Sequence, residues 1–142
     1  MIIYCEEFSE SSGLDVDFRS TGMHALPFDY DTKLHLYRLV QEGLNNTRKH
    51  ADASRATVKM IGASPNIILR IEDNGKGFNV KERERSLDNR KRLGLRSMQE
   101  RVNLLGGQMK IRSRPMAGTK IFIKFPFKEK SSDSEKTDLN HR

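Results

Sequence analysis

Apolar residues recur along this chain at two periods, and the changes between them divide it into elements. Ile3, Cys5 and Phe8 lie on one side of a short helix over residues 2 to about 10, which Gly13 breaks. Leu14-Asp15-Val16-Asp17-Phe18 alternates and predicts a strand with Leu14, Val16 and Phe18 inward. Thr21-Gly22 and Leu26-Pro27 punctuate a loop, after which Asp31 or Thr32 is placed to cap a helix running from about Thr32 to His50. At about 100° per residue, Leu36, Tyr37, Val40, Leu44, Thr47 and Ala51 gather on one side of that helix. Glu42, Asn46, Lys49 and His50 fall on the opposite side.

Ser54 to Ile61 alternates again, with Ala56, Val58 and Met60 inward, and Ala63-Ser64-Pro65-Asn66 turns it back into Ile67–Glu72 as a hairpin. In that second strand Ile67, Leu69, Ile71 and then Asp73 share a face. Residues 79–92 are dense in charge, with Val80 and Leu87 their apolar members. They read as a mobile lid holding one short helical turn, or equally as a solvated loop without a gating role. Gly94 opens a second amphipathic helix carrying Leu95, Met98, Val102 and Leu105, and Gly106-Gly107 stops it. Strands over Met109–Arg112 and Thr119–Phe125 follow, the latter with Thr119, Ile121, Ile123 and Phe125 on one face. From Lys128 to Arg142 the composition predicts a disordered tail.

Two features escape this pattern. Asp73 is a carboxylate on an inward face, costly there unless hydrogen-bonded, and Gly75 and Gly77 follow it. An Asx turn closing a hairpin and a ligand site explain that stretch about equally well. In the long helix, Gly43, Asn45, Asn46 and Thr47 are poor helix formers in the interior, each less favourable than Ala by about 0.5–1 kcal/mol. Something other than helix propensity selected them.

The 142 residues suit one domain, 35% of them hydrophobic and 32% charged. No apolar run approaches the roughly 18 residues of a membrane span, and the N-terminus is too short and acidic for a signal peptide, which places the chain in the cytoplasm. Membrane attachment of a longer parent stays open. Cys5 is a single cysteine and reads as a small, partly buried apolar residue. The net charge of +7 allows an anionic partner: nucleotide phosphates, nucleic acid or an acidic protein surface.

Four segments, in order, resemble the ATP-binding domain of the gyrase, Hsp90, histidine kinase and MutL superfamily. They are Leu39 to Ala51, Asp73 to Phe78, Gly94 to Arg101 and Gly118-Thr119, and the span containing them covers about residues 36–126. Within that superfamily the chain resembles the catalytic domains of two-component sensor histidine kinases of the NarX, DegS and DesK type. The resemblance implies an α+β fold: a two-layer α/β sandwich (the Bergerat ATP-binding fold), with a mixed sheet of about five strands covered on one face by helices. It implies an ATP-binding catalytic domain over residues 13–127, preceded at 1–12 by the end of a connecting helix and followed at 128–142 by the tail.

The same resemblance assigns roles. Asn46 would coordinate Mg²⁺ and Lys49 would sit beside the phosphates of ATP. Asp73 would accept a hydrogen bond from the adenine amino group, Gly75 and Gly77 would leave room for the base, and Thr119 would complete the adenine contacts. Gly94, with Leu95, would let backbone N–H groups at a helix start approach the phosphates. Glu42, one turn before Asn46, would orient the target imidazole or the metal in preference to acting as a base, and with Lys49 makes up the catalytic pair. His50 would lie on the ribose side or pack. Asn45 stands where the family commonly has a small residue and is structural. Arg92 stands where the family's glycine box has a Gly, and would stiffen the hinge or contact phosphate.

None of His24, His35, His50 and His141 fits a phosphoacceptor on a dimerising helix. The implied function is transfer of the γ-phosphoryl group to a histidine of a dimerisation domain outside this chain, with a response regulator downstream and no dimerisation of this chain itself. The alternative is a nucleotide-gated regulatory module, anti-sigma-like or a degenerate kinase. Nucleic-acid binding through residues 81–92 and the tail fits poorly, because the charges are mixed and no aromatics are interleaved.

Overall fold

The computed structural model describes residues 1–23, 29–85 and 89–127, apart from the side chains of residues 50–51, 83–85 and 89–94. Leu26-Pro27, His24, residues 86–88 and the tail from Lys128 lie outside the described residues.

Helix α1 (Ile2–Ser12) ends at Gly13, whose φ of 74° closes the helix through its N–H to the Ser9 carbonyl. Strand β1 (Asp15–Thr21) follows, then helix α2 (Tyr30–Asn46), strands β2 (Arg55–Ala63) and β3 (Asn66–Asp73), helices α3 (Val80–Arg85) and α4 (Asn89–Leu104), and strands β4 (Gln108–Ser113) and β5 (Thr119–Pro126). The five strands form one sheet in the order β1-β2-β3-β5-β4. β1 and β2 are parallel, joined across α2, and the other neighbours are antiparallel. The β2–β3 hairpin turns at Ser64-Pro65, as the spacing predicts.

Alternation decides which face is covered. Val58, Met60, Ile67, Leu69, Ile71, Ile121, Ile123 and Phe125 are buried against Leu36, Leu39, Val40 and Leu44 of α2 and Met98 and Val102 of α4. Cys5 and Phe8 of α1 and Leu14 join the same core. Their strand neighbours of opposite parity, among them Lys59, Arg70, Lys120 and Lys124, are exposed or half-buried. The mixed, helix-covered α+β sandwich is therefore the observed fold. Among the described residues no helix is long and apolar enough to cross a membrane.

Three local expectations need correction. α2 is capped by Asp29, not Asp31 or Thr32: its Oδ1 accepts from the Thr32 N–H at 2.9 Å and the Thr32 hydroxyl at 2.6 Å. α4 begins at Asn89, so Gly94 lies inside the helix and not at its start. Arg90, Lys91, Arg92 and Leu93 are good helix formers, and one interior glycine costs only about 1 kcal/mol. The stretch expected to be a loop is thus largely helical, with α3 over Val80–Arg85 and the first turn of α4 beyond it. Third, α2 runs into a π-helical turn over Thr47–Ala51, closed by Asp52 at φ 49°. A π turn changes the residues per turn, so the helical projection that grouped Lys49 and His50 with Glu42 stops at Asn46.

Candidate nucleotide site

Strand register brings four inner-face positions into one row, Ala56, Asp73, Thr119 and Ser113, on adjacent strands. Small or polar side chains replace the aliphatic ones here, at the end of the sheet beyond Ile71 and Ile121. Thr119 is 7% exposed and its hydroxyl shares a 2.9 Å hydrogen bond with Ser113 Oγ. Ser113 Oγ also donates to the Gly118 carbonyl at 3.0 Å and accepts from the Phe78 N–H at 2.9 Å. One serine hydroxyl thereby fastens the loop after β3 to the β4–β5 turn.

The loop after β3 departs at Asp73, whose Oδ1 accepts from the Gly75 N–H at 2.9 Å. This is an Asx turn, but it leads into α3 and not into a neighbouring strand. Asn74 anchors the turn on β2, where its Oδ1 accepts from the N–H groups of Ser54 and Arg55 at 3.1 and 3.0 Å. Two glycines are required by the packing. At Gly77, φ 61°, a Cβ would lie 1.9 Å from the Arg114 carbonyl oxygen, and at Gly118, φ 75°, 2.2 Å from that of Asp73. The Asp73 pKa is raised, chiefly because burial penalises the charged form, and the N–H groups of Gly75 and Thr119 and the Thr47 hydroxyl offset this in part.

α2 reaches this row through its last turn. Gly43 lets the helix sit close on β3, because a Cβ there would lie 2.3 Å from Ile71 Cδ1. Thr47 is buried, and its hydroxyl lies 3.1 Å from the Gly43 carbonyl and 3.5 Å from Asp73 Oδ2. The next face of α2 meets α4. Asn46 Nδ2 points to Met98 Sδ at 3.8 Å, and Glu42 Oε1 accepts from Arg101 Nη2 at 3.2 Å. Arg101 Nη1 lies 3.3 Å from His35 Nδ1. Glu42 Oε2 and Arg101 Nε are buried without a hydrogen-bond partner among the described residues.

The site residues expected from the sequence thus divide. Asp73, Gly75, Gly77 and Thr119 meet at the end of β3 and β5, and the Asn46–Thr47 step of α2 touches that group through Thr47. Glu42 is not on a solvated face, since α4 covers it; its side chain is 24% exposed. Lys49 is exposed on the π turn, which also carries His50. Leu95 is half-buried against the core, one turn before Met98. Arg92 and Gly94 lie in α4, in the stretch whose side chains are not described.

Sequence reasoning missed Thr47, Ser113 and Arg101 as members of the site. Thr47 carried a signal, a β-branched hydroxyl among poor helix formers, but projection placed it on the apolar stripe. No group of three or more His, Cys, Asp or Glu among the described residues could hold a metal by itself.

The sequence profile of the histidine kinase-, DNA gyrase B- and HSP90-like ATPases matches residues 31–129. The signal transduction histidine-protein kinase/phosphatase DegS of Brevibacillus brevis is 42% identical over 123 residues, covering 87% of this chain and 30% of that protein. The sensor protein VraS of Staphylococcus epidermidis is 39% identical over 101 residues, covering 70% of this chain and 27% of its own length. The chain therefore spans less than a third of these relatives. Among solved structures, the histidine kinase domain of the Erythrobacter litoralis EL346 blue-light activated histidine kinase superposes with a TM-score of 0.65 at 20% identity, over 97% of this chain and 62% of that one. The Acinetobacter baumannii histidine kinase AdeS gives 0.66 at 18% identity, over 90% and 61%. At these identities the structural likeness speaks to the fold.

Proposed function

The chain belongs to the histidine kinase-, DNA gyrase B- and HSP90-like ATPase family, and from that premise we propose that it binds Mg-ATP beside Asp73 and passes the γ-phosphoryl group to a histidine on a domain outside these residues. The observation that carries this reading is Asp73 itself. A carboxylate held on the inner sheet face against its desolvation cost, with Thr119 beside it and glycine-built loops around it, is arranged to recognise a polar ring edge.

In this reading Asp73 accepts from the adenine amino group, Gly75 gives the base room, Gly77 lets the loop close on the β4–β5 turn instead of opening space itself, and Thr119 completes the contacts. Lys49 and His50 reach the phosphate and ribose side from the π turn. Arg92, Gly94 and Leu95 belong to α4, and in this reading that helix flanks the phosphates without offering free N–H groups at Gly94. Asn46 suits Mg²⁺. With its NH₂ turned to Met98, the amide oxygen faces the other way, and a hard cation that brings phosphate and water ligands needs few from the protein. When bound, the metal neutralises charge on the triphosphate. Glu42, held by Arg101, orients groups near Asn46 in preference to acting as a base. The partners are the phosphoacceptor domain and, through it, a response regulator.

Asp73→Asn tests the site. Loss of a charge-assisted bond of about 1.5–3 kcal/mol lowers ATP affinity tenfold or more, with the circular dichroism spectrum unchanged. Retained affinity removes the basis of the reading. Incubation with γ-labelled ATP and a separately produced acceptor domain tests the transfer, a kinase giving acid-labile, base-stable phosphate. ATP binding without transfer identifies a nucleotide-gated module instead.

A further inference from the structure

On the face of the sheet turned away from the helices, five of the 26 Lys and Arg residues of this chain lie together on three adjacent strands. Register places Arg70 of β3, Lys120 and Lys124 of β5, and Lys110 and Arg112 of β4 together on that face, with Glu72 the carboxylate among them. Phe122 sits in the middle, half-buried, with the Arg70 guanidinium 5.1 Å and the Arg112 guanidinium 5.7 Å from its ring centre. Arg70 is already held by Glu72 at 2.8 Å. Among the described residues, no carboxylate pairs with Arg112, Lys110, Lys120 or Lys124. A cavity of about 760 Å³ opens over Arg70, Arg112, Lys120 and Phe122, bounded by Arg114 and by Val80 of α3.

We propose that this face is a docking surface for an acidic protein, with Arg112 stacked on Phe122 as its anchor. A guanidinium resting on a ring has lost part of its freedom already, and presents its N–H fork to a carboxylate at reduced entropic cost. Cations on alternate residues of adjacent strands stand roughly 7 Å apart along a strand and 5 Å across, a spacing that a patch of Asp and Glu side chains can match.

Two other polyanions suit the surface less well. Nucleic acid gains stacking from open aromatic faces, and the Phe122 ring is taken by two guanidiniums. An anionic membrane surface favours protruding apolar anchors, and the large exposed hydrophobics are elsewhere, apart from Met116 in the β4–β5 turn. The tail of the chain carries as many cations as carboxylates and is not complementary.

The probe is a labelled peptide of about a dozen residues alternating glutamate with serine, titrated by fluorescence anisotropy at low and raised salt. The expected result is salt-sensitive binding, with amide shifts confined to β3, β4 and β5. Lys110→Glu/Arg112→Glu/Lys124→Glu weakens it at least about tenfold at an unchanged melting temperature, and Phe122→Leu weakens it severalfold. The same charge reversal on the helical side, Lys33→Glu/Arg38→Glu/Arg96→Glu, leaves it within about twofold. If the triple reversal does not fold, Lys110→Gln/Arg112→Gln/Lys124→Gln carries the test. Equal losses from the two reversals show an effect of net charge alone and overturn the proposal. So does tighter binding of duplex DNA or phosphatidylserine vesicles at matched charge, or stronger peptide binding once the chain is cut after Phe127.

Discussion

Asp73 is the residue whose charge works against the empty fold. Because burial raises its pKa, the native state holds its proton more tightly than the unfolded chain does. Its contribution to stability therefore falls as pH rises from the unfolded carboxylate value through the raised native one, and recovers as pH drops. Asp73→Asn should flatten that part of the pH profile without lowering the melting temperature of the nucleotide-free protein at neutral pH. Melting curves across the acid range decide it, and a marked drop at neutral pH would show that the carboxylate charge stabilises the empty fold. Thr47→Val removes a buried hydroxyl lying between the Gly43 carbonyl and Asp73. It should cost about 0.5–1.5 kcal/mol in urea unfolding. The inward placing of Asp73 and of Thr119 was legible in the sequence, because period-two alternation carries through to the strand ends, and that the two serve one site followed from the family resemblance. Thr47 and Ser113 were not, since a projection tells which way a small hydroxyl points and not what it meets.

Between elements, the contact of α2 with α4 turns on Glu42 and Arg101, both largely covered. Arg101→Met leaves the Glu42 carboxylate half-buried and unpaired, at a cost of about 1–3 kcal/mol. In Arg101→Met/Glu42→Gln part of that loss should return, giving a coupling of about 0.5–3 kcal/mol in a double-mutant cycle. Strict additivity would show that the two side chains do not interact in solution. The loops are joined as tightly. Gly118→Ala pushes a Cβ onto the Asp73 carbonyl at a positive φ, and should destabilise by about 1–3 kcal/mol while weakening ATP binding. Strand faces and both main helices followed from hydrophobic period. The start of α4 did not, because its first turn is charged and lacks the apolar spacing that marks a helix. The π turn did not either, because it depends on what Thr47 bonds.

At the scale of the molecule, nucleotide binding is stabilisation. ATP with Mg²⁺ at about 100 times its dissociation constant should add about 2.7 kcal/mol to unfolding, read as a raised melting temperature. An unchanged melting temperature would count against the nucleotide site as a whole. The covered face of each strand was open to reading because each strand shows its alternation locally, and the fold class came with the family resemblance. The strand order and the one parallel pairing were not, because they depend on contacts far apart in sequence.

That pairing has a practical consequence. The family match begins at residue 31, after β1 has already taken its place against β2. A fragment cut to the match would lack Cys5, Phe8 and Leu14 from the interior and would bare the N–H and C=O groups along one side of β2, an edge ready to recruit other chains. The segment recognised by descent is thus missing one strand and part of the interior, and expression started at Tyr30 should yield more aggregate than expression started at Met1, read by size-exclusion chromatography.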